Sequence, residues 1–232
     1  MSFTGEKYQV VARFKNRKVI AEIRLKKEKN KIMKIVSRIP FIRSFSMIVE
    51  LLIEYWRRFL FATVVLFLLE FSFIRTSNSY HLHTIPINTL EMLGGLLAIA
   101  GLIIRTTHIS RYHAAEHMIA NAYESGLNLK LEKVKKQPRT HNYCGTNLVV
   151  SIVLCFSILS LILDDSVLVF LFSWSIGFEL WKTEPKVIWS SVLMIGKVVQ
   201  YFLFTAKPQD KHLIVAIEAM TILEEKELES EN

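Results

Sequence analysis

Leu102-Ile103-Ile104-Arg105-Thr106-Thr107-His108-Ile109-Ser110-Arg111-Tyr112-His113-Ala114-Ala115-Glu116-His117 carries the chain from a greasy run into imidazoles and charges with no glycine or proline between them. Nothing breaks Leu102 to Ser125 and Gly126 follows as a C-cap, so the stretch predicts one continuous helix, half in a bilayer and half projecting from it. His113 and His117 are four residues apart, on one helical face, where both reach a single metal ion. Glu116, just before the second imidazole, stands where a carboxylate activates a metal-held water, and the motif is H-x-x-E-H. On the helical wheel Glu124 falls between the two histidines as a third ligand, while Ala114, Ala115 and Ala120 leave room for an ion or a close-packed partner.

Working outward, 232 residues with 51% hydrophobic content and mean hydropathy +0.31 belong in a bilayer. Four runs qualify as spans near the lower length limit: Phe59 to Ile74, Ile87 to Ile104, Leu148 to Leu163 and Ser166 to Trp181. A fifth, Val187 to Phe204, contains Lys197 and Gln200 and is expected along the inner interface. Tyr8 to Phe14 and Val19 to Leu25 alternate apolar with polar residues around Asn16-Arg17, which predicts a β-hairpin. The expected fold is therefore an all-α polytopic membrane protein, about four transmembrane helices plus interfacial helices, with a small N-terminal β-hairpin. No cleavable signal peptide is expected, since the first apolar run starts beyond residue 45. With only Cys144 and Cys155, the latter inside an apolar run, no disulfide framework is expected and Cys144 is a reduced thiol.

The charge of +8 is unevenly placed. Residues 1 to 58 hold fifteen Lys and Arg against five Asp and Glu, residues 105 to 147 hold seven Lys and Arg, and Arg75 to Pro86 has one. By the positive-inside rule the protein is a multi-pass cell-membrane protein with the N-terminus and the 105–147 loop cytoplasmic, and with Arg75 to Pro86 and Asp164-Asp165 outside. His81 and His83 then sit in a solvated outer connection. Three regions follow: 1–40, a basic cytoplasmic hairpin and linker; 41–206, the membrane domain; and 207–232, a cytoplasmic C-terminal helix. A basic stripe beside lipid suits anionic headgroups and membrane lipids rather than nucleic acid, and a homo-oligomer is compatible with it.

Pro138 ends the Lys-rich segment, and His141-Asn142-Tyr143-Cys144-Gly145 follows just before the third span. Both halves of the cluster are thus anchored at one membrane face. Glu179, a carboxylate near the cytoplasmic end of the fourth span, is a functional suspect because an unpaired charge there is costly. The candidate metal ligands are His113, His117, Glu124, His141, Cys144 and Glu179, the ion is a divalent metal such as zinc, and Glu116 is the candidate catalytic base. Two functions fit. One is a membrane-embedded metal-dependent hydrolase with an open ligand position; the other is a scaffold or regulator whose structural site is closed by His113, His117, His141 and Cys144.

His113 to Glu124, His141-x-x-Cys144-Gly145-Thr146, Gly177-Phe178-Glu179, Lys207-Pro208-Gln209-Asp210 and Val215-Ala216-Ile217-Glu218-Ala219 resemble the YqhQ-like family of bacterial integral membrane proteins. The resemblance extends, with gaps, from Pro40-Phe41-Ile42-Arg43 to about Ala219. It departs from the family at Ala114, Met118 and Asn142-Tyr143. That family, of unknown function, is labelled as predicted metal-dependent enzymes, so the resemblance implies membership and a metal site.

Overall fold

The computed structural model describes residues 1–15, 18–26, 31–76, 89–164 and 166–230. Asn16-Arg17, where the hairpin turn is expected, the segment from residue 77 with His81 and His83, expected outside, and Asp165 lie outside the described residues. Strands β1 (Ser2–Thr4), β2 (Tyr8–Lys15) and β3 (Lys18–Leu25) form an antiparallel sheet in that order. The expected hairpin is present, with Tyr8 opposite Leu25 and Lys15 opposite Lys18, and β1 is added to its edge with Phe3 opposite Val10. Helices α1 (Lys31–Val36), α2 (Arg43–Thr76), α3 (Thr89–Thr106), α4 (His108–Glu124), α5 (Leu131–Val134), α6 (Gly145–Leu163), α7 (Val167–Thr183), α8 (Lys186–Val199) and α9 (Asp210–Glu229) follow, with a π-helical turn at Gln200–Phe204 after α8.

The sheet's inner face, Val10 and Ala12, is fully buried in one core with α9 and with Ala115, Met118, Ile119 and Ala122 of α4. Strand alternation and helical spacing thereby meet along α9. Ala114 and Ala115 serve the close-packed alternative: both are wholly buried, as are Ala216 and Ala219 of α9. Glu227 near the end of α9 accepts the backbone N–H groups of Lys7 and Tyr8, fixing the β1–β2 turn.

The predicted continuous helix through Leu102–Ser125 is broken. Thr107 leaves the helical region at φ −88°, ψ 167°, and its hydroxyl caps α4 by accepting from Ile109 N. The axes of Leu93–Thr106 and His108–Glu124 consequently differ by 87°. A threonine cap turns a helix without glycine or proline, since its side chain replaces the missing backbone acceptor. The C-terminal expectation holds: Gly126 has φ +63° just beyond α4, and its N–H reaches Tyr123 O.

Among the described residues, two helices are long and apolar enough to cross a membrane, Gly145–Leu163 and Lys186–Phe204, or three if the bent pair counts as one span. This is fewer than the expected four. Helix α7, with 17 residues, reaches only about 26 Å at 1.5 Å per residue, short of a ~30 Å hydrocarbon core. Phe59 to Ile74 falls in α2, where the side chains of 62, 66 and 69–76 lie outside the description. The Val187–Phe204 run, expected at the interface, belongs to one of the two qualifying helices. Its Gln200 is buried in hydrogen bonds and so does not count against burial in lipid, while the exposed Lys197 has a stem long enough to carry its ammonium toward the interface. Helices α6 and α7 form a tight antiparallel pair: a Cβ at Gly177 would stand 2.7 Å from the Ile152 backbone, and Ser151 donates to Gly177 O.

Candidate metal centre

Helix α4 packs its small face on α9 and turns His113 and His117 toward Cys144 at the start of α6. Cys144 is the N-cap of α6, so its sulfur accepts the N–H of Thr146 at the positive end of the helix dipole. Thr146 Oγ1 lies 3.3 Å from the same sulfur. His113 Nε2 is 3.4 Å from Cys144 Sγ, and the His113 and His117 rings lie 4.2 Å apart. One ligand atom from each of His113, His117 and Cys144 falls within 4.8 Å of the others.

The other ring nitrogens set the tautomers. His117 Nδ1 is 2.7 Å from the carbonyl of Arg139, which only accepts, so Nδ1 carries the proton and Nε2 presents a lone pair. His113 Nδ1 faces Glu116 Oε2 at 3.4 Å, again leaving Nε2 for the centre. These are the outer contacts that orient metal-ligating histidines.

Burial opposes charge on both His113 and Cys144, yet their mutual attraction prevails. Desolvation lowers the His113 pKa, but hydrogen bonds to Cys144 and Glu116 outweigh it and raise the value to about 9. Desolvation raises the Cys144 pKa, but the hydrogen bond with His113 and the proximity of His117 outweigh it and lower the value to about 5. At neutral pH the metal-free pair is imidazolium and thiolate.

Of the six predicted ligands, the structure brings His113, His117 and Cys144 together. His141 lies beside them, its ring 5.8 Å from that of His117, but both its nitrogens are engaged. Its Nδ1 accepts from Tyr143 N at 3.3 Å, so its Nε2 is the donor to Glu124 Oε1 at 3.0 Å. Glu124 thus serves His141 rather than the three-residue group. Glu179 stands elsewhere: its Oε1 accepts from Phe41 N at 2.7 Å and Arg43 Nε at 2.9 Å, and its Oε2 pairs with Arg43 Nη2 at 2.5 Å. Glu116, the expected base, contacts the outer nitrogen of His113, and its Oε1 accepts from Ser2 N at 3.4 Å.

Gln200 was expected only to interrupt an apolar run, yet it positions the whole loop. Wholly buried in the π-helical turn, it accepts from His141 N at 2.8 Å and donates to His141 O and Asn147 Oδ1. Asn147 in turn donates to Asn142 O, and a Cβ at Gly196 would stand 1.9 Å from Asn147 Oδ1. A glutamine in an apolar helix is the sequence signal for such a role, because it must find partners away from water.

Residues 11–226 match the family described as "Protein of unknown function (DUF1385)". The chain belongs to this family. It is also 29% identical over 182 residues to the "Uncharacterized protein YqhQ" of Bacillus subtilis (strain 168), covering 72% of this chain. The matched stretch spans 56% of that relative, little more than half its length. No solved structure matches. The quoted family-like segments meet in pairs: Pro40–Arg43 with Gly177–Glu179 in the Arg43–Glu179 clamp, and His113–Glu124 with His141–Cys144 at the candidate metal centre.

Proposed function

We propose that the protein is a membrane-embedded metal-dependent hydrolase whose site lies at the cytoplasmic membrane face, with zinc held by His113, His117 and Cys144. One observation carries this reading: the group offers three protein ligands, and His141, the fourth that a closed site would take, has both nitrogens committed to Glu124 and Tyr143. Three ligands and an open position mark catalytic zinc sites, whereas structural sites close with four. The donor set fits the ion, since a tetrahedron on ordinary Zn–N and Zn–S bonds places ligand atoms about 3.5 Å apart. The His113–Cys144 pair is already at 3.4 Å. Bound there, zinc supplies Lewis acidity.

The chain's own residues do the rest. Arg139 O and Glu116 hold the two imidazoles in their ligating tautomers. His113, Glu116 and Tyr112 line a cavity of about 410 Å³ with Ile104, Ile109 and Phe204, and Glu116 is the one carboxylate among the described lining residues. It is the group placed to accept a proton from a reactant in that space. The cytoplasmic assignment is supported by the seven Lys and Arg of residues 105–147.

The scaffold reading is favoured by one contact. Glu116 bonded to His113 Nδ1 is what a purely structural zinc site also needs. Glu116→Gln separates the two when metal content, abundance and complementation of a deletion strain are measured together. The hydrolase reading expects an abundant, metal-loaded, inactive protein. An abundant, metal-loaded and fully functional Glu116→Gln protein would leave only the structural site.

A further inference from the structure

A second cavity, of about 440 Å³, lies between α3, α6 and α8, two of which belong to the helices apolar enough to cross a membrane. Leu97, Val150, Val153, Ile195 and Leu203 are among its walls. Thr146 is the single polar side chain among its described lining residues, and Thr146 Oγ1 is 3.3 Å from Cys144 Sγ. The space is therefore hydrocarbon-like everywhere except at its end beside the metal centre. Phe204 lines both this cavity and the one containing His113 and Glu116, so the two adjoin at one side chain.

Charge is concentrated at the same end. Arg105 Nη1 donates to Tyr201 O and Thr205 O, and the Arg139 guanidinium lies 4.3 Å from the Tyr201 ring centroid. Both guanidiniums thus flank the π-helical turn that contributes Leu203 and Phe204 to the wall. An apolar pocket within membrane-crossing helices has a ready occupant, because lipid tails match its walls and enter without desolvating a polar group.

We propose that this cavity takes one acyl chain of an anionic phospholipid, threaded between α3, α6 and α8, with the lipid's ester and phosphate end at the His113/His117/Cys144 group and its guanidiniums. The inference rests on the proposed function, for which it names the substrate class. The chain is held by fit, and the charged end sets the register of the lipid against the metal ligands.

Gly94 and Gly95 provide a matched test. Both sit on α3 with nothing within 4 Å of an added Cβ, but only Gly94 lines the cavity. Full-length protein in nanodiscs is irradiated with phosphatidylglycerol carrying a diazirine on one acyl chain, and labelled peptides and bound zinc are quantified. Labelling should concentrate on residues 146–154 and 195–204, fall at least about fivefold in Gly94→Phe, and persist in Gly95→Phe. Zinc content should be equal in all three proteins. Phosphatidylcholine with the same diazirine chain should label the cavity about fivefold less, the effect of one basic residue's attraction. If Gly94→Phe does not fold, Ala98→Leu on the same wall takes its place. Uniform labelling of lipid-facing helices, or cavity labelling unchanged by the blocking variant, overturns the proposal, and equal labelling by both lipids overturns its headgroup. Wild-type protein that labels in the cavity yet holds no zinc supports the occupant and defeats the metal reading instead.

Discussion

Two polar clusters stand at the same end of the α6–α7 pair, and they are built in opposite ways. At Glu179 donors are matched to acceptors: a backbone N–H and an arginine occupy both carboxylate oxygens. At Cys144 acceptors are in excess once His113 gives up its proton, because a thiolate and two imidazole lone pairs then face one another with Thr146 as the nearby donor. The first cluster is complete as protein. The second is held in the metal-free state by a proton on His113, which a divalent ion replaces. A polar cluster is thus judged by what fills its lone pairs: Arg43 completes the carboxylate of Glu179, whereas His113, His117 and Cys144 form a group that could hold a metal ion.

The largest expected effect breaks the second cluster alone. Cys144→Ala or His117→Ala should reduce bound zinc from near one per chain to below about a tenth, measured by elemental analysis after dialysis, because two ligands do not hold zinc against buffer. Glu179→Gln should leave the zinc in place. Its effect falls on folding: the Arg43 and Glu179 side chains are only 19% and 12% exposed, and removing one charge strands the other at a cost of about 3 kcal/mol. Thermal unfolding in detergent should show a lowered transition with unchanged metal. Zinc loss in Glu179→Gln would join the clusters into one unit.

A smaller effect lies between them. Gln200→Leu keeps every ligand but leaves the His141 N–H without its partner, at about 1–3 kcal/mol. Cys144 is three residues beyond, so zinc affinity should fall about tenfold while binding remains stoichiometric at high zinc, as titration with a competing chelator would show. Unchanged affinity would mean that α4 and α6 alone fix the centre.

Where the sequence was legible, local chemistry decided the structure. Four-residue spacing put His113 and His117 on one face, alternation in Tyr8 to Phe14 and Val19 to Leu25 gave paired strands, and Gly126 ended α4. Where it was not, the choice was made by distant partners. Helical spacing placed Glu124 with the histidines, yet the returning loop brought His141 onto it instead. Glu179 had the cost of an unpaired charge, but its partner Arg43 lies 136 residues earlier. Thr107 could continue a helix or cap one, and its capping contact to Ile109 goes with an 87° turn that the apolar pattern does not encode. Strand β1 is three residues long, too short for alternation to announce.

The pH dependence of the centre sharpens the comparison in its finest grain. In metal-free protein, a His113 pKa raised from 6.5 to about 9 contributes stability that is full below pH 6.5 and is lost as pH rises through about 9. A Cys144 pKa lowered from 9.0 to about 5 contributes stability that is full above pH 9 and is lost as pH falls through about 5. The ion pair is thus present between about 5 and 9. Within that window Cys144 is already a thiolate, but His113 must shed its proton before Nε2 can ligate. Zinc binding should therefore release at least one proton per ion at pH 7.5, and the apparent dissociation constant should rise about tenfold for each unit the pH is lowered from 8.5 to 7.5. Calorimetry in two buffers of different ionisation enthalpy measures the proton count directly. Glu116→Gln removes an attraction that holds the His113 proton and should lessen the release in this pH range, whereas Glu179→Gln, remote from the centre, should not change it. Binding with no proton released at pH 7.5 would mean that His113 enters the site neutral and that the imidazolium–thiolate pair does not form.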